Sequence, residues 1–169
     1  MLNRFSINFK ITALVTDNAA NMKLTATLLN MRHLGCFAHS LNLVVQTAIS
    51  ISIKDIVDKS KAIVQYFKHS SHALSKLNEM QLKLNMPRLK LKQDVPTRWN
   101  ATYDMLNRLL LNKEAVVSTL ALLESNLSLE SNDWIAIEHA VKILKAFYDV
   151  TVEISGETTV LLSKTAVLS

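Results

Sequence analysis

Glycine and proline are nearly missing: the 169 residues hold two of each. Average chains use about 7% glycine and about 5% proline, so there is little turn chemistry here and little room for many short strands. Cysteine is scarcer still. The single Cys36 excludes an internal disulfide and a self-contained multi-cysteine zinc site, and it fits a reducing compartment. The opening MLNRFSINFK has no continuous apolar run and no small-residue cleavage site, which argues against a secretory leader.

Residues 33–53 contain no Lys, Arg, Asp or Glu, a length that raises the question of a membrane span. His33, His39, Asn42 and Gln46 would be costly in hydrocarbon, and the apolar residues fall on one helical stripe. The segment therefore reads as a buried amphipathic helix, with no membrane implied.

What is present is apolar and mostly helical in pattern: 49% of the chain is hydrophobic, ample for a packed core. Residues 10–15, KITALV, read as a short strand ended by Thr16, Asp17 and Asn18, with a helix over residues 18–30. HLGCFAH, residues 33–39, reads as a second strand feeding directly into a helix. On that helix Leu41, Val44, Val45, Ala48 and Ile49 follow the i, i+3, i+4 rule.

A further helix carries Ile53, Ile56, Val57, Ser60, Ile63, Val64 and Phe67, and after the polar break HSSH another carries Leu74, Leu77 and Leu84. NMPRLKLKQDVPTRW holds both prolines and alternating Leu89 and Leu91, and so is extended or looped. Helical pattern resumes at Asn100 with Tyr103, Leu106, Leu110, Val117 and Leu120. Ser131 or Asn132 can cap a last helix on which Trp134, Ile137, Val141, Leu144 and Tyr148 share a face, ending near Ser155 and Gly156.

Charge is concentrated. The net formal charge is +5, and residues 54–98 hold ten Lys or Arg against four Asp or Glu. Such a basic segment suits a phosphate backbone, or is simply a solvated helix face.

Three groups of residues could carry chemistry, each with a plainer alternative. Asp17 ends a strand, where α/β sheets present catalytic carboxylates and where a hard divalent cation such as Mg²⁺ would be held; equally, Asp17 and Asn18 can cap the next helix. Cys36 and His39, three apart, could share a helical face and bind Zn²⁺, or be a buried thiol and a hydrogen-bonded histidine. Arg98 and Trp99 could grip a nucleotide by phosphate and base, or be a capping arginine beside a core tryptophan.

TDNAANM from Thr16, CFAHSLNLVV from Cys36 and DVPTRWNATYDML from Asp94 together resemble the hAT transposases and the BED-type zinc-finger proteins derived from them. WIAIEHAVKILKAFYDVTVEISGE also resembles the family. The resemblance implies an α/β, predominantly helical fold. A partial RNase H-like core with two short strands would span residues 1–52, a large all-α insertion residues 53–157, and the start of a further helix residues 158–169.

It implies that Asp17 matches the second of three catalytic, metal-binding acidic residues, that Cys36 and His39 match the motif near the active site, and that Trp99, with Arg98 beside it, matches an aromatic that stabilises a flipped base. Arg88, Lys90 and Lys92 join Arg98 and Trp99 as the expected DNA-binding residues. The family's first catalytic Asp lies on an earlier strand, and nothing before Asp17 is acidic; Glu130, Glu138, Glu153 and Glu157 fall within or near the helical insertion and do not stand in for its last Glu.

The expectation is a fragment of a transposase-derived nuclear DNA-binding protein without catalysis of its own. It would need no cofactor itself, with Mg or Mn in an intact parent enzyme. DNA is the expected partner, with a homo-oligomer through a C-terminal region outside the chain and no small-molecule substrate. Two alternatives stay open: a helical protein-interaction module, and part of an active Mg-dependent transposase.

Overall fold

The structure, a computed structural model, describes residue 11 and residues 13–154. The chain divides into two compact units, with the breaks at Val44/Val45 and Glu153/Ile154. The mostly helical α/β class expected from the sequence is what the described residues form: seven helices and one two-stranded parallel sheet.

The first unit is a strand–helix–strand turn. Strand β1 (Ala13–Thr16) leads into helix α1 (Ala20–Leu28), and strand β2 (Arg32–Gly35) returns parallel to β1, with Ala13 opposite Arg32 and Thr16 opposite Gly35. Parallel pairing needs a crossover, which α1 supplies. Gly35 lies under the Asn18 side chain; a Cβ there would sit 3.0 Å from Asn18 Oδ1. Lys10 and Thr12, part of the expected first strand, lie outside the described residues.

Helix α2 (Phe37–Ser52) follows β2 directly, as read. Its expected buried stripe is a correction: among those five positions only Val45 is buried, while Val44 is 65% exposed and Ala48 is also exposed. Periodicity tells which side chains share a face, but not how much protein is present to cover it. Among the described residues no single helix is long and apolar enough to cross a membrane.

The second unit holds α3 (Lys54–His69), α4 (Ser71–Lys83), α5 (Trp99–Leu111), α6 (Lys113–Leu122) and α7 (Ser131–Ile154). Ser70, in the polar break, ends α3 and caps α4, its hydroxyl accepting from Ala73 N–H at 3.1 Å. The core contains Ile63, Phe67, Leu77, Met105, Leu106, Leu109, Val116 and Ile137, each at most 1% exposed. Trp134, Ile137 and Leu144 of the face expected on α7 are buried; its expected stop at Ser155 and Gly156, and the further helix, lie outside the described residues.

The helical pattern that resumes at Asn100 is carried by two helices, α5 and α6. They part at Asn112, which is fully buried and donates through Nδ2 to Arg108 O at 2.7 Å while its Oδ1 accepts from Gln81 Nε2 at 2.6 Å. Gln81 also donates to Leu89 O at 3.1 Å, so one buried knot ties α4, the α5–α6 junction and the connecting segment together.

Scarce glycine shows in how helices end. Asn30, Asn85 and Glu124 take the left-handed position after α1, α4 and α6, at φ 49°, 54° and 48°. At each, the following residue's N–H reaches back five positions: Met31 to Ala26 O, Met86 to Gln81 O, Ser125 to Leu120 O. These are the bonds by which a helix end usually capped by glycine satisfies its carbonyls.

Candidate functional site

In the first unit the parallel register brings the carboxyl ends of both strands together. Asp17 leaves β1 exposed, and Cys36 N–H donates to Thr16 O at 2.7 Å, extending the pairing by one step. His39 then lies on the first turn of α2, so Asp17, Cys36 and His39 all fall at or just beyond the strand ends, where α/β folds present chemistry.

The capping alternative for Asp17 does not hold. The N-cap of α1 is Ala19, and no side chain caps it. Thr16 Oγ1 donates to Asp17 O at 2.8 Å, and His33 Nε2 lies 2.9 Å from the same hydroxyl.

A metal site does not follow from these residues alone. Cys36 is only half-buried and stands before α2 rather than within it, and the described residues contain no group of three His, Cys, Asp or Glu able to hold an ion. Tetrahedral zinc and oxygen-ligated Mg²⁺ both ask for more ligands than Asp17, or Cys36 with His39, supply. No metal-dependent step is assigned to them.

The second unit presents the basic residues. Between α4 and α5 the chain is non-helical, and Leu91 points inward, 6% exposed, while Lys90 and Lys92 on either side are exposed. That alternation is the period of an extended chain with one face on a core. Arg88 is exposed at a tight turn closed by Leu89 N–H to Pro87 O at 2.8 Å. A second turn, Arg98 N–H to Val95 O at 3.0 Å, delivers an exposed Arg98 to the N-cap position of α5, where its side chain makes no capping bond.

Trp99 lies where the plainer reading put it. It is 1% exposed and edge-on to Tyr148, the ring centroids 6.5 Å apart, with Tyr103 packed 4.8 Å from the same Tyr148. An indole so enclosed offers no face to a base, so in this conformation Trp99 anchors α5 to α7 in the core, and base stacking is corrected to packing.

Two residues to which sequence reading assigned no contact organise this surface. Asp94, its side chain 4% exposed, pairs with Lys61 Nζ at 2.9 Å and accepts from Thr102 Oγ1 at 2.7 Å. Arg108 Nη1 donates to Lys90 O at 3.0 Å. Each contact joins residues distant in sequence, which no spacing rule encodes. Beside them a groove of about 380 Å³ is lined by Gln46, Lys61, Asp94, Pro96 and Thr102 among others.

Residues 34–143 match the ZBED1 RNase-like helical domain family. The chain is similar to the human zinc finger BED domain-containing protein 4, at 28% identity over 92% of the chain and 13% of that protein. It is similar to rice zinc finger BED domain-containing protein RICESLEEPER 1, at 36% over 79% of the chain and 18% of the relative. It is also similar to the putative AC transposase of Zea mays, at 30% over 73% of the chain and 16% of the relative. The chain thus spans less than a fifth of each of these curated relatives.

Proposed function

Because the chain belongs to the ZBED1 RNase-like helical domain family, among BED zinc-finger and hAT transposase relatives, we propose that it is the DNA-associating portion of a transposase-derived nuclear protein and does not cut DNA by itself. The observation that carries this reading is the placement of Arg88, Lys90 and Arg98. All three are exposed on a segment pinned to a rigid helical unit, without an ion pair to a carboxylate among the described residues. Cations held that way attract a phosphate backbone without sequence preference.

Asp17 is the vestige of a catalytic position in this reading, and Cys36 and His39 are its structural neighbours. Mg or Mn belongs to an intact parent enzyme, and self-association to parts of the parent beyond this chain. The chain itself uses no cofactor and takes no small-molecule substrate.

A protein-interaction module is the second reading, favoured by apolar side chains left open on α7: Ile143 is 62% exposed and Phe147 39%. Fluorescence anisotropy with a labelled DNA hairpin carrying one flipped-out base, beside a plain duplex, separates the two. The DNA reading predicts binding to both, reduced by the combined Arg88→Ala, Lys90→Ala and Arg98→Ala changes. A folded sample that binds neither supports the interaction module.

A further inference from the structure

The segment between α4 and α5 runs antiparallel along α5, and alternate residues meet successive positions of the helix. Lys90 O meets Arg108 Nη1 at 3.0 Å, Lys92 Nζ meets Asp104 Oδ2 at 2.9 Å, and Asp94 Oδ1 meets Thr102 Oγ1 at 2.7 Å. Two extended residues advance about 6.6 Å and the four helical residues between Arg108 and Asp104 about 6 Å, so those two rungs stay in step; Thr102 lies only about 3 Å further along the helix, and the Asp94 side chain reaches it.

The rungs differ in charge. At one end Asp94 is neutralised by Lys61. In the middle Lys92 and Asp104 neutralise one another. At the other end Arg108 spends a donor on an uncharged carbonyl, and Lys90 makes no ion pair with a carboxylate among the described residues. That rung holds two cations and no anion.

The geometry points to Lys90 and Arg108 as a paired site for one backbone phosphate of a nucleic acid, with Asp104 holding Lys92 out of it. The inference rests on the DNA reading above. Arg108 keeps further N–H donors in a planar fork suited to two phosphate oxygens, and its bond to Lys90 O fixes the fork in place. Lys90 adds a compact charge on a flexible stem. A phosphate at Lys90 and Arg108 would displace no carboxylate, whereas at Lys92 it would have to displace Asp104.

The test is duplex-DNA binding by the full 169-residue chain between about 50 and about 200 mM salt, where each phosphate contact contributes about 0.9 to the slope of log K against log salt. Arg108→Gln keeps an amide donor for the Lys90 carbonyl but removes the charge; it should lower the slope by about one and weaken binding several-fold. Lys92→Gln should leave the slope nearly unchanged, and Asp104→Asn, which removes a negative charge and releases Lys92, should tighten binding. A circular-dichroism melt of each variant establishes that it is folded, so that a change of affinity reads the site.

The paired site is overturned if wild type binds steeply while Arg108→Gln matches it, if Lys92→Gln costs as much as Arg108→Gln, or if Asp104→Asn fails to tighten binding. Wild type that does not bind at all overturns the DNA reading and this site with it.

Discussion

Asp94 and Thr102 are joined by a hydrogen bond of 2.7 Å from the threonine hydroxyl to a carboxylate 4% exposed, and the same carboxylate holds Lys61 at 2.9 Å. One side chain therefore fastens the start of the Val95–Arg98 turn to both α3 and α5. Asp94→Ala leaves an ammonium and a hydroxyl without their acceptor, and should lower stability by about 2 to 3 kcal/mol. Urea unfolding measures it; a loss indistinguishable from zero would mean the turn is fixed by other contacts.

The Gln81–Asn112 knot makes a second prediction. Both residues are buried, at 1% and 0% exposure, and Gln81 Nε2 serves two acceptors. Gln81→Ala deletes packing volume and strands the Asn112 and Leu89 oxygens, at a cost of about 3 kcal/mol. The slowing of amide exchange at α4 and the α5–α6 junction should fall in the same variant, which a loss confined to α4 would contradict.

Glu124 sits at φ 48° after α6, a region that costs a side-chain-bearing residue roughly 1 kcal/mol or more and costs glycine nothing. Glu124→Gly should raise the thermal midpoint, by about 1 kcal/mol in stability less the added freedom of the unfolded chain. A lower midpoint would show that the unfolded-chain term wins.

Lys59 Nζ lies 2.9 Å from Asp133 Oδ2, and the same oxygen accepts Glu130 N–H at 3.0 Å. The Lys59 bond first, and the backbone bond second, hold the Asp133 carboxyl below its ordinary 3.8; the bond to Asp133 raises Lys59 above its ordinary 10.5. A depressed acid stabilises the fold above its unfolded value and loses that contribution as pH falls through the folded value. A raised base stabilises below its unfolded value and loses the contribution as pH rises through the folded one. The stability gap between wild type and Asp133→Asn should therefore be open at neutral pH and narrow as the pH falls below the ordinary 3.8. Urea midpoints on either side of that value test this; a gap that stays constant contradicts it.

Much of the fold was legible because it is local. The polar break at Ser70, the seams of α3 and α7 and the strand before Asp17 follow from periodicity and capping, and the motifs beginning at Thr16, Cys36 and Asp94 carry the family. What was illegible is non-local. Val44 on the apolar stripe of α2 is exposed, since the pattern does not say what covers it. Trp99 is a core residue, a choice that depends on Tyr148 nearly fifty residues on. Asp94, Gln81 and Arg108 act through partners that only the folded chain brings near.

The central claim, that the segment leading into α5 presents its cations to a phosphate backbone, is tested most directly by the salt dependence of duplex-DNA binding by the whole chain. The account predicts affinity falling linearly on a log–log plot between about 50 and about 200 mM salt, with a slope of roughly two to four for a few phosphate contacts. A folded chain that binds no DNA at the lowest salt, or binds with no salt dependence, would contradict it.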